Sequence, residues 1–302
     1  MDSILQHTLS RFLDVEQIDA RRIFHGRGGM YPGLEQLSID WYGPTILVSA
    51  YQALDFAPLL VEAIKAADRL HQVDNILLQK RYETAVPCEV LMGDTVATAI
   101  VSEAGLKFEV HPGVKQNAGL FLDTALLRRW LRTHCKDRTV LNLFAYTCSF
   151  SVAALSAGAH QVCNVDMSKS SIAWGQRNHL MNGLDPRQAV FIPHNLFRSW
   201  GRIRQFGRYH TVIIDPPTRQ RGSFDVEKNY GAVLKKLPGL CHPGADIIAT
   251  LNSPFLGADY LVDLFRHHVP TGSFVEMLPV APEFVDRHPD RGLKICRFTM
   301  PG

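Results

Sequence analysis

The sequence predicts an α/β fold in which a mainly parallel sheet follows a smaller α+β unit. Three observations carry this. From about residue 122 onward, short apolar runs of β type alternate with amphipathic helical stretches, the pattern of right-handed βαβ crossovers. Between about Ser38 and Pro112, short strands instead follow one another across Pro and Gly turns, with one helix among them. The composition is that of a chain with a sizeable core: of 302 residues, 46% are apolar and 20% charged, outside the regime of disordered chains.

The elements read in order as follows. Ile4, Leu5, Leu9, Phe12 and Leu13 have helical spacing. HGRGGMYPG, from His25 to Gly33, is a loop: either a phosphate cradle or a turn-rich connector. TILVSAY (45–51) is a strand, and residues 57–71 form an amphipathic helix through Leu59, Leu60, Ala63, Ile64, Ala67 and Leu70. NILLQKRY, CEVLM, TVATAIV and LKFEVH are short strands of a mostly antiparallel unit, and a linker follows. Then come helix 122–134, strand 139–144, helix 149–157, strand 161–166, helix 169–182, strand 189–193, a short helix near 195–204 and strand 210–216. Helix 226–240, strand 245–252, helix 256–267 and strands 273–278 and 293–300 complete the chain, the last two as an antiparallel hairpin. The expected organisation is an N-terminal helix and Gly-rich loop (1–39), a small α+β domain (40–112) and a large α/β domain (113–302).

Several classes are excluded. No run of about 18 apolar residues encodes a membrane span. The start, MDSILQHTLSRFLD, lacks the basic and then apolar pattern of a secretory signal. Six Cys stand at 88, 135, 148, 163, 241 and 296 without a CxxC pair, which argues against a zinc site or a disulfide framework and fits a reducing cytoplasm. His267, His268 and His288 have no spaced partners for a metal. The 32 Lys+Arg and 29 Asp+Glu leave +3, a total that says nothing for or against nucleic acid, because binding needs a local patch. Local clusters exist: Arg128, Arg129, Arg132, Lys136 and Arg138; Arg198, Arg202, Arg204 and Arg208; and Arg219 with Arg221. The last pair is placed for substrate phosphates; solvated helix faces explain the first two equally well.

Candidate chemistry lies just after strands, where open parallel sheets bind ligands. NLFAYTCSFS (142–151) joins a strand to a helix, where a nucleoside rests against backbone N–H groups. It holds no glycine, so a nicotinamide fingerprint is absent. Asp166 ends the next strand, 24 residues after Asn142, where an acid accepts both ribose hydroxyls. An Asp there can equally cap a helix, a role Ser168 would take over, leaving Asp166 free. Asn195 follows the third strand, facing an adenine amino group or simply opening a helix. Asp215-Pro216-Pro217-Thr218 follows a very apolar strand; the prolines stiffen the backbone and present a carbonyl beside the carboxylate, suited to a planar amino-bearing ring. Together these four describe the layout of a class I S-adenosylmethionine methyltransferase.

The chain resembles the bacterial 23S rRNA methyltransferases of the RlmI and RlmK type. The matching stretches are Asn117-Ala-Gly-Leu-Phe-Leu-Asp123, NLFAYT (142–147), NVDMS (164–168), WGQRNHLMNGL (174–184) and IIDPPT (213–218), in family order over roughly residues 106–302. The resemblance implies a Rossmann-like seven-stranded class I methyltransferase sheet with a smaller N-terminal α+β domain. It also implies S-adenosyl-L-methionine as cofactor and RNA, 23S rRNA in the family's case, as partner. By position, Asn142, Phe144, Ala145, Tyr146, Thr147 and Cys148 would contact the cofactor's methionine part. Asp166, with Met167, would hold the ribose and Asn195 the adenine, and Phe121 and Asp123 would close the site. Asp215, Pro216 and Pro217 would face the acceptor. The chain departs from the family at Cys148, usually glycine, and at Asn195, usually aspartate; the PUA-type module of some relatives is not evident.

Carbon-5 methylation of cytosine needs a thiolate that adds to the ring. The fifth strand ends Thr250-Leu-Asn-Ser-Pro254, without Cys; Cys241 belongs to the preceding helix end and Cys148 to the cofactor loop. Asn252 and Ser253 look like the branch that methylates a purine nitrogen. The expectation is therefore methyl transfer to a base nitrogen of ribosomal RNA. The alternatives are a non-catalytic RNA- or ribosome-binding protein of the same fold, or a methyltransferase with a protein or small-molecule acceptor.

Overall fold

A computed structural model describes residues 2–220 and 223–302. The chain divides into two units, Met1–Asp123 with Ala281–Arg287, and Thr124–Val280 with His288–Gly302. These bounds differ from the three segments read from the sequence.

In the first unit, helix α1 (Ser3–Leu13) starts at Asp2, whose carboxylate accepts the Ile4 N–H at 2.8 Å, an N-cap. It buries Leu5, Leu9 and Leu13, which lie on one face at four-residue spacing. Strands β1 (Arg21–His25), β2 (Leu37–Tyr42) and β3 (Thr45–Ala50), helix α2 (Ala57–Ala67), and strands β4 (Asn75–Lys80) and β5 (Cys88–Met92) follow. The sheet has the order β1-β2-β3-β4-β5. All its pairs are antiparallel except β3 with β4, because α2 crosses between those two. Strand β2 runs across residue 39, and β1 pairs with it, so the helix, the glycine loop and the sheet belong to one unit. Strands β6 (Ala99–Glu103) and β7 (Leu106–Val110) form a separate hairpin through left-handed Ala104 and Gly105.

The His25–Gly33 loop is explained by close packing. A Cβ on Gly26 would overlap the Leu34 carbonyl oxygen, and one on Gly28 the carbonyl oxygen of Val285. Both positions demand a residue without a side chain. The returning segment 281–287 is held there: Arg287 N–H donates to Gly28 O at 2.7 Å, and the Arg22 guanidinium lies 4.5 Å from the Phe284 ring centroid. Arg22 also pairs with Asp40, its cross-strand partner.

In the second unit, strands and helices alternate: α3 (Ala125–His134), β8 (Thr139–Leu143), α4 (Ser149–Ser156), β9 (Gln161–Val165), α5 (Lys169–Met181), β10 (Ala189–Ile192), α6 (Trp200–Arg204) and β11 (Tyr209–Ile214). A two-residue ribbon, β12 (Arg219–Gln220) and β13 (Phe224–Asp225), precedes α7 (Val226–Leu234). Strand β14 (Cys241–Asn252), α8 (Ala258–His268), β15 (Ser273–Met277) and β16 (Leu293–Thr299) end the unit. The order is β10-β9-β8-β11-β14-β16-β15, parallel through β14 and antiparallel at both pairings of β16. This is the expected Rossmann-like seven-stranded sheet. The strand order reverses between the parallel neighbours β8 and β11, which makes a crevice at their carboxyl ends. The helix expected over 226–240 ends at Leu234, and a 3-10 turn, Leu237–Gly239, follows, because Pro238 cannot continue an α-helix. Strand β14 therefore starts at Cys241, which is a strand residue and not a helix end. No helix among the described residues is long and apolar enough to cross a membrane.

One ion cluster crosses this sheet. Buried Asp246 on β14 accepts from Arg138, just before β8, at 2.7 Å and from Arg297 on β16 at 2.9 Å. Arg297 also reaches Glu276 on β15 at 2.8 Å. Both guanidiniums are partly solvated, which limits the loss on breaking the cluster. Replacing Asp246 by Ala is expected to lower stability by about 2 kcal/mol, read as a shifted midpoint in urea unfolding.

Candidate active site

The loop from β8 to α4 must turn the chain sharply at the crevice. It does so with left-handed backbone at alternate residues: Phe144 (φ 61°), Tyr146 (φ 47°) and Cys148 (φ 61°). For residues bearing a Cβ, this conformation is costly and persists only where the surroundings impose it. Two N–H groups pin the loop to the end of β9. Ala145 donates to Val165 O at 3.0 Å and Tyr146 to Asp166 Oδ2 at 2.9 Å. Asn178 on α5 holds the Thr147 carbonyl at 2.9 Å. Gly175, also on α5, leaves room for Cys148: a Cβ there would overlap the Cys148 sulfur and lie 2.9 Å from its Cβ.

Beneath the loop runs a buried chain of hydrogen bonds. Nδ1 of His179 lies 2.7 Å from the Gly175 carbonyl oxygen, which can only accept, so Nδ1 carries the proton. Nε2 of the neutral ring then accepts from the Ser151 hydroxyl at 2.8 Å. Ser151 Oγ accepts from Asn164 Nδ2 at 3.0 Å, and Asn164 Oδ1 from Asn142 Nδ2 at 2.9 Å. Burial lowers the pKa of His179, in keeping with the neutral ring. The chain ties β8, β9, α4 and α5 together under the loop and ends on the glycine that faces Cys148. Asn142 Oδ1 is buried with no hydrogen-bond partner among the described residues.

Asp166 is half-buried at the tip of β9. Its Oδ1 accepts from Ser168 N–H at 2.8 Å and its Oδ2 from Tyr146 N–H. Ser168 caps α5 through Ser171 N–H, as expected, yet Asp166 is not free: both its oxygens already orient backbone groups. Burial pushes its carboxyl pKa up, against the pull of those two N–H groups.

Across the crevice, Asp215 follows β11. Thr250, on the adjacent strand β14, donates its hydroxyl to Asp215 Oδ1. Below them the buried Tyr230 hydroxyl lies 3.3 Å from Ile214 O and 3.0 Å from Thr250 O. Thr218, after the two prolines, donates to Asn252 O and so ties the exits of β11 and β14 together. Pro216 is buried and Pro217 exposed. Phe144 lines this side, edge-on to Phe224 at 4.8 Å.

The residues read from the sequence therefore fall into groups. Phe144, Tyr146, Asp166, Met167, Asp215, Pro216 and Pro217 are at strand exits around the crevice, with Met167 exposed. Asn142, Ala145, Thr147 and Cys148 are buried, so the structure gives their side chains a supporting position under or within the loop. Asn195 accepts Phe197 N–H at 2.9 Å and starts a 3-10 turn, the helix-opening role of the two weighed for it. Phe121 and Asp123 lie in the first unit. Sequence reasoning missed Ser151, Asn164, Gly175, Asn178, His179, Tyr230 and Thr250; three of these, Gly175, Asn178 and His179, stand inside the WGQRNHLMNGL motif.

The basic clusters are also sorted. Arg128 is buried and donates to Thr124 Oγ1 at 2.7 Å, and the partly solvated Arg138 pairs with Asp246. Arg129, Arg132, Lys136, Arg198, Arg202, Arg204, Arg208 and Arg219 are exposed; Arg221 lies outside the described residues.

A test of the loop's support uses the Cys148–Gly175 contact. Gly175→Ala is expected to cost about 1–3 kcal/mol through overpacking. In a Cys148→Gly background the same change should cost clearly less, since the sulfur is gone. Equal costs in the two backgrounds, by urea unfolding, would show that the contact does not govern the loop.

Comparison with known proteins gives a consistent picture. The chain is 31% identical over 258 residues to the ribosomal RNA large subunit methyltransferase K/L of Shewanella loihica, covering 81% of this chain and 35% of that protein. The protein of the same name from Shewanella pealeana is 31% identical over 259 residues, again covering 81% and 35%. The chain thus spans about a third of the length of these relatives. Among solved structures, a protein described as a methyltransferase and solved with SAH matches at TM-score 0.84 and 24% identity, covering 98% of this chain and 79% of that one. A tRNA m1G37 methyltransferase of M. jannaschii matches at TM-score 0.61 and 17% identity, covering 87% and 72%. At these identities the likeness is one of fold. A family model for S-adenosylmethionine-dependent methyltransferases matches residues 21–299, and the chain belongs to that family.

Proposed function

We propose that the protein methylates a base nitrogen of ribosomal RNA, with S-adenosylmethionine as the methyl donor. The observation that carries this reading is the pairing of two carboxylates across the strand-order reversal, Asp166 beside the pinned loop and Asp215 beside two prolines.

The residues present fit such a cofactor. Asp166 can accept ribose hydroxyls while its oxygens stay oriented by Tyr146 and Ser168. The exposed Met167 and the half-buried Tyr146 flank it. When bound, the sulfonium supplies an electrophilic methyl group, so alignment rather than strong acid–base chemistry sets the rate. Asp215 would orient the acceptor amino group or take its proton; Thr250 and Tyr230 keep that carboxylate and its strand exit in place. The departure at Cys148 is accommodated, because α5 presents Gly175 to the sulfur.

The names of the relatives and the exposed arginines after β10, α6 and the prolines support RNA as acceptor. Nitrogen is favoured over cytosine carbon-5 because no cysteine among the described residues follows β11 or β14 at the crevice. Cys241 lies at the opposite end of β14, its thiol pushed up to about 12 by burial, and Cys148 is buried, which pushes its thiol well above the ordinary range.

Calorimetry should show S-adenosylmethionine binding to the wild type and a loss of about a hundredfold or more in Asp166→Ala, the size of two charge-assisted hydrogen bonds. Wild-type protein that binds none overturns the catalytic reading. Acceptance of ribose hydroxyls requires ionised Asp166, so affinity should fall as pH falls. Because burial raises this pKa, the fall should begin at a higher pH than for an exposed aspartate. The Asp166→Asn variant should lose that pH dependence. Labelled methyl transfer to rRNA from a strain lacking this gene, followed by nucleoside mass spectrometry, identifies the acceptor atom.

A further inference from the structure

The exit of β14 holds a feature that stability does not explain. Phe255 is 91% exposed, the highest value for a large apolar side chain among the described residues. Isolated apolar residues are common on surfaces, but this one sits on firmly anchored backbone. Two residues earlier, Ser253 is buried, and its carbonyl accepts from the buried Lys294 ammonium at 2.5 Å. The same ammonium donates to Asp290 O at 2.8 Å. Ser253 Oγ accepts the N–H of Phe255 itself at 3.2 Å. One residue later, Leu256 packs on the core. The chain on both sides is thus held down while the ring is directed into solvent.

Its place in the sheet gives the ring a purpose. Thr250, whose hydroxyl holds Asp215, lies five residues before it on the same strand and its exit. Asn252 O, three residues before it, receives the Thr218 hydroxyl from the other side of the two prolines. Phe255 and the Asp215–Thr218 segment therefore belong to one cross-tied rim at the carboxyl ends of adjacent parallel strands.

We infer that Phe255 is the stacking platform for the acceptor base, receiving an unpaired nucleobase of RNA on its ring and presenting the base edge to Asp215. A rigid ring loses little entropy on contact, and every base offers it a π-face. The inference rests on the RNA reading above and names the part of the acceptor that this site takes: a base already out of its stack, in a loop or bulge.

Steady-state methyl transfer to rRNA from a strain lacking this gene tests it. Phe255→Ala should raise KM for that RNA about tenfold to a hundredfold, the usual effect of one lost base stack. Its affinity for S-adenosylmethionine and its Tm should stay at wild-type values. Phe255→Trp should keep KM near wild type, and its added indole emission, relative to wild type, should be quenched by single-stranded poly(A) but not by duplex RNA. Unchanged KM in Phe255→Ala, or no quenching of the added indole by poly(A), overturns the platform while leaving RNA methylation standing. Methyl transfer to protein or small molecules with none to RNA overturns both. A KM rise that comes with lost cofactor affinity or a lowered Tm also overturns it, because the residue would then be structural.

Discussion

The five-residue turn from β8 to α4 is the constraint around which the second unit is arranged. Three residues with side chains adopt left-handed backbone there, and none is a glycine or asparagine that would do so readily. Such a turn cannot hold itself. It is held from β9 by the Val165 carbonyl and the Asp166 carboxylate, from α5 by Asn178, and from below by the Asn142–Asn164–Ser151–His179 chain. The same carboxylate that would meet the ribose is thus part of the loop's support, which couples the shape of the turn to the chemistry beside it.

That support is polar and buried, and its direction follows from one tautomer. A neutral His179 with its proton on Nδ1 satisfies Gly175 and leaves Nε2 to accept; a charged ring would leave Ser151 with donors on both sides. In a low-dielectric interior, a network of this kind favours one arrangement, and breaking it is costly. The acceptor side is built differently. There the apolar strand β11 and the buried Tyr230 and Thr250 fix a short, stiff exit, and the two prolines remove backbone donors instead of pairing them. One rim is held by hydrogen bonds under a strained loop, the other by proline stiffness and cross-ties between strands.

Much of the second unit was legible in the sequence because βαβ units announce themselves through local pattern. Strand runs of Val, Ile and Leu alternate with helical spacing, and the strand-end residues Asp166 and Asp215 could be named from position alone. Boundaries shifted where a local residue overrode the pattern, as Pro238 ends α7 early. The N-terminal segment was harder to divide. The glycine loop reads as a separate piece, yet Gly26 and Gly28 are explained by carbonyls at Leu34 and Val285, the second more than 250 residues away in the chain.

By itself the sequence determined the alternation of elements, the parallel sheet and which residues end its strands, since these depend on spacing and turn chemistry over a few residues. Tertiary structure alone decided what those residues do. The burial of Asn142 and Thr147, the room Gly175 makes for Cys148, the hold of Thr250 on Asp215 and the exposed seat of Phe255 join positions far apart in the chain. Such contacts are set by sheet register and helix packing, which no local pattern encodes.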